Sequence, residues 1–367
     1  MENCMSQLHQ ILVGDCIEMM RTLPDKSVHT CVTSPPYFGL RDYGVEGQIG
    51  LEETPAKFIG RLVAVFREVR RVLRDDGTVW VNMGDTYASG GRGGGGSFMA
   101  ERGDGAWQGK GEATGWRSAP AGLKHKDLMG MPWRLAFALQ DDGWYLRQDI
   151  IWNKPNPMPE STRDRCTKAH EYIFLLSKSR SYHCDMQAIR EPAAESSLAR
   201  WAQDVEGQVG SDRVPGKTNG MMKAVGGGRS KRDSFQRDDS KREQAIPGQS
   251  KGTHRPDRAE SEWDVATRNK RSVWTVPTQG FKGAHFATFP PDLIRPCILA
   301  GAPRGSIVLD PFGGAGTTSL VSMQEGRRSI ICELNPDYAA MARARIDAAW
   351  LDGAAQMDVF HDAIPAA

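Results

Sequence analysis

No uninterrupted apolar run in this chain approaches the roughly 18 residues that a membrane helix needs, and residues 1–15 lack the basic-then-apolar order of a secretory signal. A cytoplasmic location is therefore expected. Cys-x-x-Cys pairs are missing as well. The seven cysteines, Cys4, Cys16, Cys31, Cys166, Cys184, Cys297 and Cys332, are odd in number and scattered, which argues against zinc ribbons and disulfide frameworks and for reduced structural thiols. The eight histidines show no metal-ligand spacing, so no metal is expected. Repeats of solenoid or propeller length are absent, and the net charge is only +2. What remains is an ordinary composition, 39% hydrophobic and 25% charged over 367 residues, enough for one large α/β domain with insertions or two smaller ones.

The charge is small but uneven. Residues 212–271 hold fifteen Lys/Arg against nine Asp/Glu, whereas the rest of the chain holds 32 against 36. A basic excess in a Gly- and Ser-rich stretch points to phosphate contacts, or to a solvated loop. Six segments follow from composition and periodicity: an ordered block at 1–87, a Gly-rich mobile loop at 88–122, a second ordered block at 123–187, a basic and irregular region at 188–271, a third ordered block at 272–352, and a tail at 353–367. In the first block, Phe58, Leu62, Phe66, Val69 and Leu73 share one face of a helix over 55–73, and Asp75-Asp76-Gly77 turns into a strand over 78–82. In the second, a helix is expected over 132–141 and strands over 145–152 and 172–177, the last folding back through Lys178–Ser181 onto Tyr182-His183-Cys184 as an antiparallel hairpin.

Two loops carry chemistry. The first follows the apolar run 28–32: Thr33-Ser34-Pro35-Pro36-Tyr37. Two successive prolines have fixed φ and no amide hydrogen, so the carbonyls beside them are rigid acceptors outside any sheet ladder. Rigid acceptors next to an aromatic face suit a flat ring bearing an amino group. A plain turn or a polyproline ligand is the alternative for this stretch alone. The second loop is Asp310-Pro311-Phe312-Gly313-Gly314-Ala315-Gly316-Thr317-Thr318, between a strand over 306–310 and a helix over 319–325. Glycines let the backbone approach a ligand there, and the helix start offers free amide donors. A second strand over 329–332 ends in Glu333, about twenty residues past Gly314, where a carboxylate grips ribose hydroxyls in open α/β sheets. This turn holds no Gly-Lys-Ser/Thr, and an acidic residue opens it, so a phosphate is disfavoured there and a ligand with an ammonium favoured.

The pentapeptide at 33–37 resembles the catalytic loop of the DNA amino-methyltransferases, and the 310–318 loop resembles the cofactor loop of S-adenosylmethionine-dependent methyltransferases. With the catalytic loop first, the chain resembles the permuted beta arrangement of that family over nearly all of its ordered sequence. The resemblance implies a Rossmann-like, mostly parallel sheet with one antiparallel strand, helices on both faces and an inserted target-recognition region at 188–271. It implies S-adenosyl-L-methionine as cofactor and double-stranded DNA as partner, and it allows a restriction endonuclease partner and a homodimer. Ser34, Pro35, Pro36 and Tyr37 would then be catalytic, with Phe38 as an added wall. Asp15, Asp310, Phe312, Gly314, Gly316, Thr317, Glu333, His285 and Phe289 would hold the cofactor. Segments at Arg71–Asn82, Trp152–Pro155 and His170–Lys178 match intermediate parts of the family.

Serine at the first loop position is more usual in the cytosine-N4 enzymes, so cytosine N4 is the expected target and adenine N6 the alternative. Cytosine carbon-5 methylation would need a cysteine nucleophile. Cys297 follows Pro296, but it sits in a helix expected over 291–299 and reads as a core thiol. Protein or RNA amino-methyltransferases resemble this loop too, but place the cofactor loop first and use Asn in the pentapeptide. A non-catalytic DNA-binding protein of the same fold is a further rival, against which the intact Ser34–Tyr37, Asp310, Gly314 and Gly316 argue.

Overall fold

The computed structural model describes residues 8–40, 42, 44–88, 99–101, 107–109, 123–201, 266–279 and 289–362. The chain divides into two compact units, Met1–Ile189 with Arg271–Ala367, and Arg190–Lys270. In chain order the first unit opens with β1 (His9–Val13), α1 (Cys16–Arg21), β2 (Val28–Thr33), α2 (Pro55–Val72) and β3 (Leu73–Met83). A small ladder of β4 (Met99–Glu101) and β5 (Trp107–Gly109) is followed by α3 (Met131–Asp141), β6 (Tyr145–Asn153) and β7 (His170–Ser177). The second unit contributes β8 (Glu191–Pro192), α4 (Glu195–Trp201) and β9 (Thr267–Arg268), β8 and β9 pairing antiparallel. The first unit then resumes with β10 (Val273–Thr275), α5 (Pro291–Gly301), β11 (Ile307–Asp310), α6 (Thr317–Gln324), β12 (Arg328–Glu333) and α7 (Pro336–Asp362).

Eight strands form one sheet in the order β1-β12-β11-β2-β3-β7-β6-β10. Every neighbouring pair is parallel except β3 with β7 and β6 with β7, so β7 alone runs against the rest, as the resemblance implied. Each face has its own core. On one face α1, α2 and α3 bury Met20, Phe58, Leu62, Phe66, Val69 and Leu135; on the other α5 and α6 bury Leu293, Ile294, Ile298 and Val321. Side chains of this size contribute roughly 1.5–3 kcal/mol each when fully buried. α2 shows why the sequence folds this way locally. Thr54 accepts a hydrogen bond from the Lys57 amide at 3.2 Å, Pro55 occupies the first turn, and the buried residues recur at helical spacing.

Some expectations required correction. Leu73 does not end the helix but begins β3, because it is fully buried and pairs with Val28; the expected Asp75–Gly77 turn is a bulge, with the register against β2 shifting between Val28 and Thr30. Gly77 suits that bulge, since a Cβ there would lie 2.9 Å from the His29 carbonyl oxygen. The hairpin onto Tyr182-His183-Cys184 does not form. Those residues carry no strand; the His183 amide donates to Asp76 O at 2.8 Å and that of Asp185 to Ala300 O at 2.8 Å, while β7 pairs with β3 and β6 instead. Within 88–122 the β4–β5 ladder interrupts the expected loop, and α7 runs to Asp362, well into the expected tail. Residues 202–265, most of the basic region, lie outside the described residues. No helix among the described residues is long and apolar enough to cross a membrane.

Candidate active site

A cavity of about 580 Å³, within the range of small-molecule sites, lies where the sheet changes direction of travel through the sequence, between β11 and β2. Ligands of open α/β sheets bind at such switch points, outside the carboxyl ends of the strands. Here β2 delivers Ser34, β3 delivers Asn82 one residue before its end, β11 delivers Asp310 and β12 delivers Glu333, all four lining the cavity. β7 reaches the same rim by its beginning because it runs the other way, and so contributes Glu171.

The two loops singled out in the sequence share this one cavity. Ser34, Pro35, Pro36 and Tyr37 line it, together with Asp15, Phe289, Asp310, Phe312, Gly314, Thr317 and Glu333. A buried bond couples the loops: Thr33 Oγ1 donates to Asp310 Oδ1 at 2.6 Å, while Thr318 Oγ1 donates to Asp310 Oδ2 at 2.6 Å and the Phe312 amide to Oδ1 at 3.0 Å. Burial nevertheless pushes the Asp310 carboxyl above the usual range against these three donors. Glu333 is likewise raised, by burial first. Its Oε2 accepts from the Gly314 amide at 2.7 Å and its Oε1 from the Asn335 amide at 2.9 Å. Asp15 caps α1, its Oδ1 accepting from the Ile17 amide at 2.9 Å and the Glu18 amide at 3.2 Å.

Gly316 does not line the cavity. It caps α6 in the left-handed region at φ 74°, where a Cβ would stand 3.0 Å from that of Ala342, so its contribution is to the turn. Phe38 is no wall either: it is buried in the first core, 5.5 Å from the Phe58 ring. His285 lies outside the described residues. Cys297 is buried in the second core and absent from the cavity wall, as a core thiol should be.

One constellation gathers residues from the intermediate family segments to which sequence reasoning assigned no role. The Tyr37 hydroxyl donates to Glu171 Oε2 at 2.7 Å; Asn82 Nδ2 donates to the same oxygen at 3.2 Å, and Lys154 Nζ pairs with Oε1. Lys154 also stands 4.2 Å over the Trp152 ring. Burial, then the Glu171 charge, raises the Tyr37 phenol well above its ordinary value, with Ser34 and the Gly84 amide acting in the opposite direction. Gly84 is what leaves room: a Cβ there would come within 2.7 Å of the Tyr37 ring and 3.2 Å of Glu171. Lys154, Glu171 and Asn82 are separated by up to 89 residues in sequence, and no local pattern joins them.

The acidic end of the cavity, Asp15, Asp310 and Glu333, faces amides of a glycine turn and the ring of Phe312, and among the described residues neither the turn nor β12 adds a Lys or Arg to its lining. That donor set fits a ligand carrying positive charge, hydroxyls and a flat ring, and disfavours a phosphate. S-adenosyl-L-methionine has those features. Fold and site together define a methyltransferase that uses it, with its loops in permuted order.

Comparison with known proteins agrees. Residues 28–344 match the N6/N4 DNA methylase family model, and the chain belongs to that family. It is 45% identical over 334 residues to the Type II methyltransferase M.XycI of Xanthomonas campestris pv. cyanopsidis, covering 91% of this chain and 86% of that one. Identity to the Type II methyltransferase M.Cfr9I of Citrobacter freundii is 43% over 340 residues, again 91% and 86%. Among solved structures, the cytosine-N4-specific PvuII DNA methyltransferase aligns with a TM-score of 0.53 at 16% identity, covering 91% of this chain and 84% of that one. TTHA0409 of Thermus thermophilus, solved with S-adenosyl-L-methionine, aligns with a TM-score of 0.50 at 20% identity, covering 93% and 95%. The protein is thus a DNA methyltransferase of the N4/N6 class, and the lining of its cavity fits S-adenosyl-L-methionine.

Proposed function

We propose that the enzyme methylates the exocyclic N4 of cytosine in duplex DNA, after the base has been turned out of the helix into the Ser34–Tyr37 pocket. The observation that carries this reading is the shared cavity, in which the catalytic loop and the acidic glycine turn are tied through Thr33 and Asp310. S-adenosyl-L-methionine, when bound, supplies a methyl group on a sulfonium centre. Asp310, Glu333 and Phe312 would hold it, with Asp15 beside its adenine and the Gly314 amide fixing the Glu333 carboxylate at 2.7 Å. Ser34 Oγ and the Pro35 carbonyl accept hydrogen bonds from the target amino group, drawing its lone pair out of the ring so that it can attack in line. The methyl group would pass to that nitrogen with cleavage of its carbon–sulfur bond, and the amino group would release one proton to solvent. The Tyr37 ring stacks on the base while Glu171 fixes its hydroxyl. Rate enhancement here comes from positioning and electrostatics without a covalent enzyme intermediate.

Cytosine is preferred over adenine because the loop opens with serine, which is more usual in the cytosine-N4 enzymes that it resembles; the hydroxyl itself can orient either amine. Residues 188–271 form the target-recognition region in this reading, their basic excess meeting the phosphates. A cognate endonuclease and a dimeric state belong to the same proposal, the Type II names of the relatives supporting the first. The test is to methylate DNA with the purified enzyme, digest to nucleosides and identify the product. N4-methylcytosine is expected. N6-methyladenine overturns the choice of base, and 5-methylcytosine formed by wild type but not by folded Cys297→Ala overturns the amino-nitrogen chemistry.

A further inference from the structure

The segment joining β6 to β7 puts an apolar tip at the mouth of the cavity. Met158 is 86% exposed, against 67% for Leu351, the next most exposed large hydrophobic among the described residues, yet Met158 also lines the cavity that holds Ser34 and Tyr37. Such exposure costs stability and has no packing role. The segment is not loose. Pro155, Pro157 and Pro159 alternate around the methionine and restrict its backbone. On one side Asn156 is clamped to Thr278: Asn156 Nδ2 donates to Thr278 O at 3.2 Å, and the Thr278 amide donates back to Asn156 Oδ1 at 2.9 Å. On the other side Arg165 pairs with Glu160 at 2.5 Å and lies 3.9 Å over the Tyr87 ring.

A stiffened, apolar, unbranched side chain beside a pocket for an extruded base has the form of the wedges with which proteins part stacked base pairs. We propose that Met158 enters the duplex at the target position and fills the space vacated by the flipped base, lowering the cost of extrusion. This rests on the base-flipping reading above. The polarizable thioether adapts to either stacking neighbour, and the fixed ends of the segment keep it from folding back into the pocket.

The experiment uses the full-length enzyme with S-adenosyl-L-methionine and two duplexes carrying a site located by sequencing modified DNA. In one the target base is correctly paired; in the other it faces an abasic position, where extrusion costs little. Met158→Ala should slow methylation of the paired duplex about tenfold or more and that of the abasic duplex less than about twofold, with cofactor affinity unchanged and Met158→Leu close to wild type. Equal slowing on both duplexes, or none on either, overturns the wedge. A pattern rescued by the abasic duplex in Leu40→Ala but not in Met158→Ala would assign the wedge to Leu40, which also lines the cavity at 48% exposure. Wild type that methylates neither duplex would instead sink the functional reading, so the two failures are distinct.

Discussion

Glu171 is the residue whose chemistry reaches furthest beyond its sequence context. Its carboxylate receives Tyr37, Asn82 and Lys154, with both Glu171 and Lys154 mostly shielded from solvent. Removing one partner of a shielded ion pair strands the other, so Glu171→Gln should destabilise the protein by about 2–4 kcal/mol in urea titration. Adding Lys154→Met should recover much of that stability. Turnover should stay depressed in both variants while S-adenosyl-L-methionine affinity is retained, because the charge that orients the Tyr37 hydroxyl is gone in each. Recovery of turnover along with stability would reduce Glu171 to a structural role. The sequence marked Tyr37 as chemical because Pro-Pro precedes it, but nothing local marked Glu171 as its partner. Thr33 and Thr318 fell within the two loops the sequence singled out, but nothing local showed that the fold aims both hydroxyls at Asp310.

At the scale of elements, glycines separate the strict from the permissive positions. Gly316 holds φ 74° at the start of α6 against Ala342, whereas Gly60 lies exposed within α2 with nothing inside 4 Å of an added Cβ. Gly316→Ala should cost about 1–2 kcal/mol and weaken cofactor binding, since the turn that presents the Gly314 amide must shift. Gly60→Ala should raise stability by about 0.5–1 kcal/mol. Thermal unfolding and a cofactor titration of both variants check this, and a Gly316→Ala protein as stable and as avid as wild type would refute it. Elements with strong periodicity or clear punctuation, α2, α5 and the β11–α6–β12 unit, are legible in the amino-acid pattern alone. β1, α1 and β10 are not, because five, six and three residues carry too little pattern. The false hairpin at Tyr182–Cys184 had the same origin: chain proximity favours the nearest segment, and the sheet instead supplied the preceding strand β6 and the remote β3 as partners for β7.

For the whole molecule, the acidic end of the cavity links cofactor, proton and fold. Asp310 and Glu333 have carboxyls raised by burial, so the folded protein without cofactor binds more protons than the unfolded chain just above the ordinary carboxylate range. These two groups therefore favour folding at low pH and lose that contribution as pH rises through their elevated values. A cationic cofactor prefers both ionised and reverses the trend. The rise in melting temperature caused by a fixed S-adenosyl-L-methionine concentration should thus be larger at about pH 7.5 than at about pH 5.5, and the gap should shrink in Asp310→Asn. A cofactor effect that is flat with pH would show that the two acids stay ionised throughout.

The pairing of β1 with β12 sets a timetable. His9 lies opposite Ser329, a separation of 320 residues, and their side chains are hydrogen-bonded at 2.9 Å. During translation β1 emerges 320 residues before its neighbour exists, and β2 waits almost as long for β11. Contacts of such span form late and leave strand edges uncovered meanwhile. In the proposed reading, the glycine turn and β12 that would hold the methyl donor leave the ribosome after the Ser34–Tyr37 loop, so a growing chain that already carries its base pocket has no means to modify DNA until they follow.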